Sequence, residues 1–261
     1  MHCKNCQNQL SDKQHYCDEC GAKVIVNRLT MKAIALQVNE EFFSLDNKLL
    51  KTFLTLFTNP EDVILGYIQG IRKKYIHVIQ YFAFSLTLAG LQVFIMSVFF
   101  KDLMELNMYE GIETLPGQEN NPFKDVNFEF FNNYQGLIYI LGVPISAFST
   151  WFVYYFLRDR RLNFTEHLVL NLYYSAQVII ITAILSITFL VLGLNYFIVS
   201  SIIILPIFWY LYFVLRRVFK DSFWETAAKF LLVCIIYGFL YILLMFILAI
   251  VLVLYMYLTK P

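Results

Sequence analysis

Long apolar runs without a single Asp, Glu, Lys or Arg are the feature that most restricts how this chain can fold. Apolar residues make up 59% of the 261 positions, well above the roughly 45–50% of soluble domains. About 20 such residues in a helix cross the roughly 30 Å of a bilayer's hydrocarbon, so these runs argue against a soluble α-helical protein. We predict five spans: Val78–Phe100, Tyr134–Leu157, Leu168–Asn195, Tyr196–Leu215 and Phe230–Leu258. Gly193 and Leu194 leave room only for a tight turn between the third and the fourth.

Three clusters of basic residues indicate the orientation of these spans. They precede the first span, follow the second and follow the fourth: Arg72, Lys73, Lys74, Arg158, Arg160, Arg161, Arg216, Arg217 and Lys220. An odd number of spans places all three clusters on one side, and the positive-inside rule makes that side cytoplasmic. We therefore predict a cytosolic N-terminus, an external C-terminus and an external loop over residues 101–133, which is rich in Asp and Glu.

Two links between spans share a design that suggests an internal repeat of helical hairpins. Each follows a proline-containing span and a group of arginines. Each also ends in a capping box, in which a side-chain oxygen caps the new helix and a Glu three residues later reaches back. The pairs are Asn163 with Glu166 and Ser222 with Glu225.

Four of the five cysteines form two close pairs near the N-terminus, Cys3 with Cys6 and Cys17 with Cys20. A C-x2-C turn directs two sulfurs inward, and two such turns supply the four ligands of a tetrahedral structural zinc site. Gly21 allows the tight turn that aims backbone amides at the sulfurs. About 25 residues bury too little apolar surface to fold alone, so bound metal must supply the folding energy. We predict one structural Zn²⁺ per chain within a zinc ribbon over residues 1–27.

Other interpretations of the cysteine pairs are weaker. A thioredoxin-like dithiol needs one C-x-x-C beside a βαβ pattern, which this sequence lacks. Iron takes the same four thiolates, and spacing alone does not separate it from zinc. His2 and His15 exceed the four ligands required and are predicted to be surface residues. The ribbon is not a basic patch, so we expect a protein partner rather than nucleic acid.

Residues 28–76 are predicted to form an amphipathic helical connector at the inner membrane surface. Residues 47–58 carry a broad apolar face, and Asn59 is predicted to cap a second helix over Pro60–Lys74 that has Pro60 in its first position. Such helices either lie on lipid or pack on the bundle of spans, and the sequence leaves both open.

The spans of residues 77–261 carry polar but uncharged side chains. These are Gln80, Gln92, Asn171, Ser175, Gln177, Thr182 and Ser186. Their helical spacing is typical of packing between transmembrane helices, although a pathway for a neutral solute stays open. Ion-coupled transporters normally carry intramembrane charges. No catalytic constellation is found: Glu166-His167 has no second His at metal-ligand spacing, and Glu166 already caps a helix.

Several motifs resemble an uncharacterised bacterial family of zinc-ribbon multi-pass membrane proteins, domain-of-unknown-function family 3667. The resemblance is carried by the Cys17-x-x-Cys20-Gly21 turn, Asn59-Pro60, Tyr67-x-x-Gly70-x-Arg72 and Phe164-Thr165-Glu166-His167. Gln7 stands where such ribbons often have Gly. The resemblance implies a bacterial cytoplasmic membrane and lends no activity. The architecture alone is also similar to Yip1-like membrane proteins.

Together these features predict an all-α polytopic membrane protein with an N-terminal zinc ribbon and interfacial amphipathic helices. The function that they favour is a non-catalytic membrane scaffold or adaptor that presents the ribbon to a cytosolic protein. The alternative is a transporter-like or channel-like protein for a neutral solute or a lipid. The small polar stripes also allow a homo-oligomer.

Overall fold

The computed structural model describes residues 1–11, 14–24, 30–31, 48–100, 135–194 and 196–258. The chain divides into two compact units, Met1–Asp46 and Asn47–Pro261. In its described part the second unit is helical. Its helices are α1 (residues 48–58), α2 (Pro60–Ile68), α3 (Val78–Phe99), α4 (Gln135–Phe156), α5 (Phe164–Val191), α6 (Tyr196–Phe219) and α7 (Phe223–Leu258).

Five of these helices, α3 to α7, are long and apolar enough to cross a membrane. This confirms the predicted number of spans and identifies an integral membrane protein. Two of the helices begin before the uncharged runs that were predicted as spans, α5 at Phe164 rather than Leu168 and α7 at Phe223 rather than Phe230. The uncharged runs start only after Glu166-His167 and Lys229, whereas the helices begin directly after Asn163 and Ser222, the first residues of the predicted capping boxes. The predicted external loop, 101–133, lies outside the described residues.

Helix α5 is the centre of the bundle, since it packs against α2, α3, α4 and α6. Its inner positions supply fully buried side chains, among them Leu170, Tyr173 and Ala176. Residues from α1, α2, α3, α4, α6 and α7 complete one apolar core with them. Most of the other described side chains on α7 are exposed or half-buried, as expected for a helix that faces lipid on most sides.

The connector helices pack on this bundle through one face each. Leu56 of α1 and Val63 and Ile64 of α2 are fully buried in the core. Helix α2 ends at Ile68, not at the predicted Lys74, because Gly70 adopts a φ of +94° and the Ile71 N–H turns back to the Gly66 carbonyl at 2.8 Å. The basic residues at positions 72 to 74 therefore lie in a non-helical link.

The capping predictions have mixed outcomes. Asn163 and Glu166 form the full capping box at the start of α5. At the start of α7 the Glu225 N–H donates to Ser222 Oγ at 3.4 Å. Asn59 precedes α2 as predicted but makes no side-chain cap. Its Oδ1 instead accepts a 2.6 Å hydrogen bond from Arg217 Nη2, because a guanidinium is a stronger donor than a backbone amide.

Candidate functional site

The four N-terminal cysteines converge on one point in the first unit. All four sulfurs lie within 4.8 Å of one another. The Cys3 and Cys20 sulfurs are 3.6 Å apart, and the Cys6 and Cys17 sulfurs are 3.5 Å apart, so each short pair joins the two C-x2-C turns. Four thiolates at these separations can hold a metal ion in a tetrahedron.

The two turns that carry the cysteines have the same backbone geometry. In the first, the Gln7 N–H donates to the Cys3 carbonyl at 2.9 Å; in the second, the Gly21 N–H donates to the Cys17 carbonyl at 2.9 Å. Both Gln7 (φ 64°) and Gly21 (φ 70°) adopt the left-handed conformation. The predicted role of Gly21 is confirmed, and Gln7 performs the same role with a side chain that makes the conformation costly.

Very little else holds this unit together in its described residues. Two isolated antiparallel bridges join His2 to Gln9 and Tyr16 to Lys23. The buried apolar cluster consists of Cys3, Leu10 and Cys17, with Ala22 and Val24 packed against it. A cluster of this size buries little apolar surface, so a bound ion is the interaction that could offset the conformational entropy of folding these residues.

The thiols also show why a cation suits this site. Hydrogen bonds from the Asn5 side chain and the Ala22 backbone N–H lower the pKa of Cys20 to about 6. The Asn8 backbone N–H lowers the pKa of Cys6, but the neighbouring Cys20 thiol and desolvation outweigh it and raise that pKa to about 12. Four sulfurs so close together cannot all ionise unless a cation compensates their charge. The two backbone N–H groups are the amide donors to sulfur that such sites use.

The remaining ribbon residues fit the predicted ligand set. His2 and His15 are exposed, and His2 Nδ1 lies 3.3 Å from the Gln7 carbonyl. The cysteine cluster can hold a metal ion without them. The geometry does not distinguish zinc from iron, which both accept tetrahedral thiolates.

In the second unit, ion pairs bring the links after α4 and α6 and the start of α2 together at one end of the bundle. Arg217 pairs with Glu61 at 2.6 Å, and Arg161 pairs with Asp221 at 2.6 Å. Arg216 and Lys220 are exposed nearby, as are Arg158 and Arg160. Arg72, Lys73 and Lys74 are exposed in the link that leads into α3. These contacts involve Arg161 and Arg217, and the grouping of all nine basic side chains at one end of the bundle stays a prediction.

A buried ionic cluster at this end of the bundle was not predicted from the sequence. Lys229 is 4% exposed, and its ammonium lies 2.9 Å from Asp159, 2.6 Å from Asp221 and 2.8 Å from Glu225. Arg161 contacts the first two of these carboxylates from the other side. Arg161 first and then Lys229 hold the pKa of Asp159 well below its usual range. The Glu225–Lys229 spacing of one helical turn was the available signal.

The cluster joins equivalent corners of the two predicted hairpins. Arg158 (φ 62°) ends the turn after α4, and Lys220 (φ 53°) ends the turn after α6. Each is followed by an aspartate, Asp159 or Asp221, that binds Lys229. The matching backbone and matching aspartates support the internal repeat that the sequence suggested.

Polar side chains inside the bundle form hydrogen-bonded groups between neighbouring helices. Asn171 accepts from Ser146 at 2.5 Å and donates to Thr150 at 2.9 Å, and His167 Nδ1 lies 3.1 Å from the same Thr150 oxygen. Gln177 accepts from the Tyr81 hydroxyl. Nothing in the described residues pairs with His167 Nε2 or the Tyr154 hydroxyl, both fully buried.

The other predicted packing residues occupy varied positions. Gln92 and Ser186 are buried, and the Gln92 amide lies 3.4 Å from the Met96 sulfur. Thr182 donates to the Ile179 carbonyl within α5 at 3.0 Å. Ser175 is half-buried, and Gln80 is exposed. These residues therefore do not line one continuous polar path among the described side chains, because Gln80 is exposed and the hydrogen bonds of Gln92 and Thr182 lie within their own helices.

A family described as "Protein of unknown function (DUF3667)" matches residues 46–90. The match covers α1, α2 and the first half of α3, and it contains the Asn59-Pro60 and Tyr67-x-x-Gly70-x-Arg72 motifs. It confirms the family resemblance that these motifs indicated. No curated protein and no solved structure matches the chain, so the likeness to Yip1-like proteins gains no support.

Proposed function

We propose that this integral membrane protein is a non-catalytic scaffold or adaptor whose N-terminal ribbon binds a cytosolic protein. The observation that carries the proposal is the assembly of four thiols within 4.8 Å in a compact unit whose described residues bury one further side chain, Leu10. The ion in this proposal is a structural Zn²⁺, held by Cys3, Cys6, Cys17 and Cys20. Four cysteine ligands leave no open coordination position, which favours a structural over a catalytic role.

Metal analysis of the purified full-length protein tests the ion. We expect one zinc per chain, and a Cys20→Ser variant should lose it while Cys234→Ser, a change within α7, should not. Iron in the purified protein would contradict the assignment to zinc. Equal zinc content in both variants would contradict the ligand set.

The membrane in this proposal is a bacterial cytoplasmic membrane, with the ribbon in the cytosol and the C-terminus outside. The basic residues at one end of the bundle support this orientation, since positive charge is retained on the cytosolic side. A protease-cleavable epitope inserted after Gln118 should be cut in intact cells, whereas the same epitope before Met1 should be cut only after lysis. The opposite pattern would overturn the orientation.

A photo-crosslinking experiment tests the partner. A crosslinking residue at Tyr16, which is 60% exposed on the ribbon, should give a discrete protein adduct that disappears when Cys20 is replaced by Ser. The matched control is Leu205, which is 73% exposed on α6 and should react with lipid. If the ribbon position gives no adduct, or if the adduct persists without the metal site, the adaptor proposal is wrong. A nucleic-acid adduct would contradict the expected class of partner.

One observation favours the second candidate, a transporter-like protein for a neutral solute or a lipid. Lys229 is a buried charge at the junction of two repeated hairpins, and buried ionisable residues of membrane proteins often mark a solute pathway. Nearby, a cleft of about 470 Å³ opens between α2, the α4–α5 link and the end of α6. Scrambling of fluorescent phosphatidylcholine and glycerol permeation in proteoliposomes test this function. Rates equal to protein-free vesicles for both probes would contradict it.

A further inference from the structure

The two connector helices expose surfaces of opposite character. On α1, the exposed side chains include Leu50, Leu54 and Phe57, which are 56%, 54% and 41% exposed and follow one another at intervals of one helical turn. On α2, none of the large apolar side chains is exposed; Asp62 is exposed within the helix, and Gln69, Gly70 and Ile71 (47%) are exposed just after it. Helices of similar length on one bundle thus face different surroundings.

The contacts of α1 place it at the depth of the spans. The Tyr210 hydroxyl donates to the Leu56 carbonyl at 3.1 Å, and Gln177 Nε2 donates to the Phe53 carbonyl at 3.1 Å. Tyr210 lies about 9 Å along α6 from Arg216, and Gln177 lies about 20 Å along α5 from its first residue. Both partners are therefore well inside helices that cross the bilayer.

Helix α2 sits closer to the basic end of the same spans. Its Glu61 pairs with Arg217, about 10 Å further toward the end of α6 than Tyr210. The link that follows α2 carries Lys74, whose ammonium lies 5.0 Å from the centre of the Tyr75 ring, and Lys51 of α1 approaches the same ring at 5.9 Å. Lysines grouped around a tyrosine are typical of the membrane–water boundary.

We propose that α1 is embedded in the headgroup–acyl boundary of the bilayer, with Leu50, Leu54 and Phe57 against lipid chains, and that α2 lies on the water side. Trp209, which is 68% exposed and precedes Tyr210 on α6, provides a reference residue at that depth. The membrane boundary then passes near the Asn59–Pro60 corner. This arrangement leaves the Lys229 cluster and the cleft at or beyond the membrane surface, where aqueous solutes reach them.

Tryptophan quenching by brominated lipids tests this boundary in the full-length protein reconstituted in vesicles. Trp151, Trp209 and Trp224 are first replaced by Phe, and single tryptophans are then introduced as Leu54→Trp or Gln69→Trp. Both sites are exposed, so neither substitution disturbs the core. The variant that retains only Trp209 calibrates the depth scale.

We expect bromines at shallow acyl positions to reduce the emission of Leu54→Trp as strongly as that of Trp209. Gln69→Trp should respond to aqueous acrylamide and not to brominated lipid. If Leu54→Trp is unaffected by brominated lipid while Trp209 is quenched, or if both introduced tryptophans are quenched alike, the proposal is wrong. Zinc content and a monodisperse elution profile confirm that each variant is folded.

Discussion

The two units of this protein are held together by different forces. The ribbon has a buried cluster of Cys3, Leu10 and Cys17, and two of those three side chains belong to the four-cysteine cluster that can hold a metal ion. The helical unit instead buries a large apolar core that runs through α1 to α7 and fixes its helices with buried hydrogen bonds and ion pairs. In the proposed metal-bound ribbon, the first unit depends on one ion, whereas the second is stabilised by many small contributions.

Metal removal should produce the largest effect and should separate the two units. Zinc contributes on the order of 10–16 kcal/mol to the folding of a small ribbon. A strong chelator should therefore unfold residues 1–24, seen as fast hydrogen exchange there, and leave the exchange of α3 to α7 unchanged. Retained protection in the ribbon after complete metal loss would contradict the comparison.

Removal of the Lys229 ammonium should be the largest single effect within the bundle. Lys229→Met keeps an unbranched side chain of similar length but leaves Asp159 and Asp221 with Arg161 alone. Breaking a buried ion network in this way lowers the free energy of unfolding by about 3–5 kcal/mol. The exposed Lys220→Met is the matched control and should cost little. Denaturant unfolding in detergent measures both. Equal stabilities would show that the cluster does not hold the hairpins together.

The Lys229 cluster also shows where sequence reasoning succeeded and where it stopped. Hydrophobic runs predict the spans, because every residue of a helix that crosses the hydrocarbon core must be predominantly apolar. Paired cysteines predict a metal site, because the ligands of each pair lie close together in the sequence. Lys229 contacts Asp159 across 70 positions, and no local pattern encodes such an approach. For the same reason, the sequence did not reveal that Arg217 binds Asn59 and so takes its side chain away from the predicted cap.

Acid should weaken the same cluster in a way that one substitution can isolate. The pKa of Asp159 is lowered in the folded state, chiefly by Arg161. The contribution of the Asp159 carboxylate to the free energy of unfolding is therefore complete above its pKa in the unfolded chain, about 4, and is lost as the pH falls below that value. We expect the free energy of unfolding of the wild type to exceed that of Asp159→Asn by on the order of 1–2 kcal/mol at pH 7. That difference should shrink below about pH 4, and a difference independent of pH would contradict the assignment.

The smallest effects should come from the two left-handed positions of the ribbon, and they should have opposite signs. Gly21 has no side chain to strain, and a Cβ added there would meet nothing within 4 Å, so Gly21→Ala changes only the backbone cost. Gln7 already bears that cost, which is about 1–2 kcal/mol for a residue with a Cβ. Part of the gain from Gln7→Gly is lost to the greater freedom of glycine in the unfolded chain.

Because metal binding and folding are coupled in this unit, both changes should appear as metal affinity. Competition with a chelator at fixed pH should show Gly21→Ala weakened about fivefold, which corresponds to about 1 kcal/mol. Gln7→Gly should be tightened by a smaller factor, about two- to threefold. The stability of the helical unit should not change in either variant, since neither residue belongs to it. Weaker binding by Gln7→Gly would mean that the glutamine side chain makes a favourable contact, and the two turns would then differ in energy despite their shared backbone geometry.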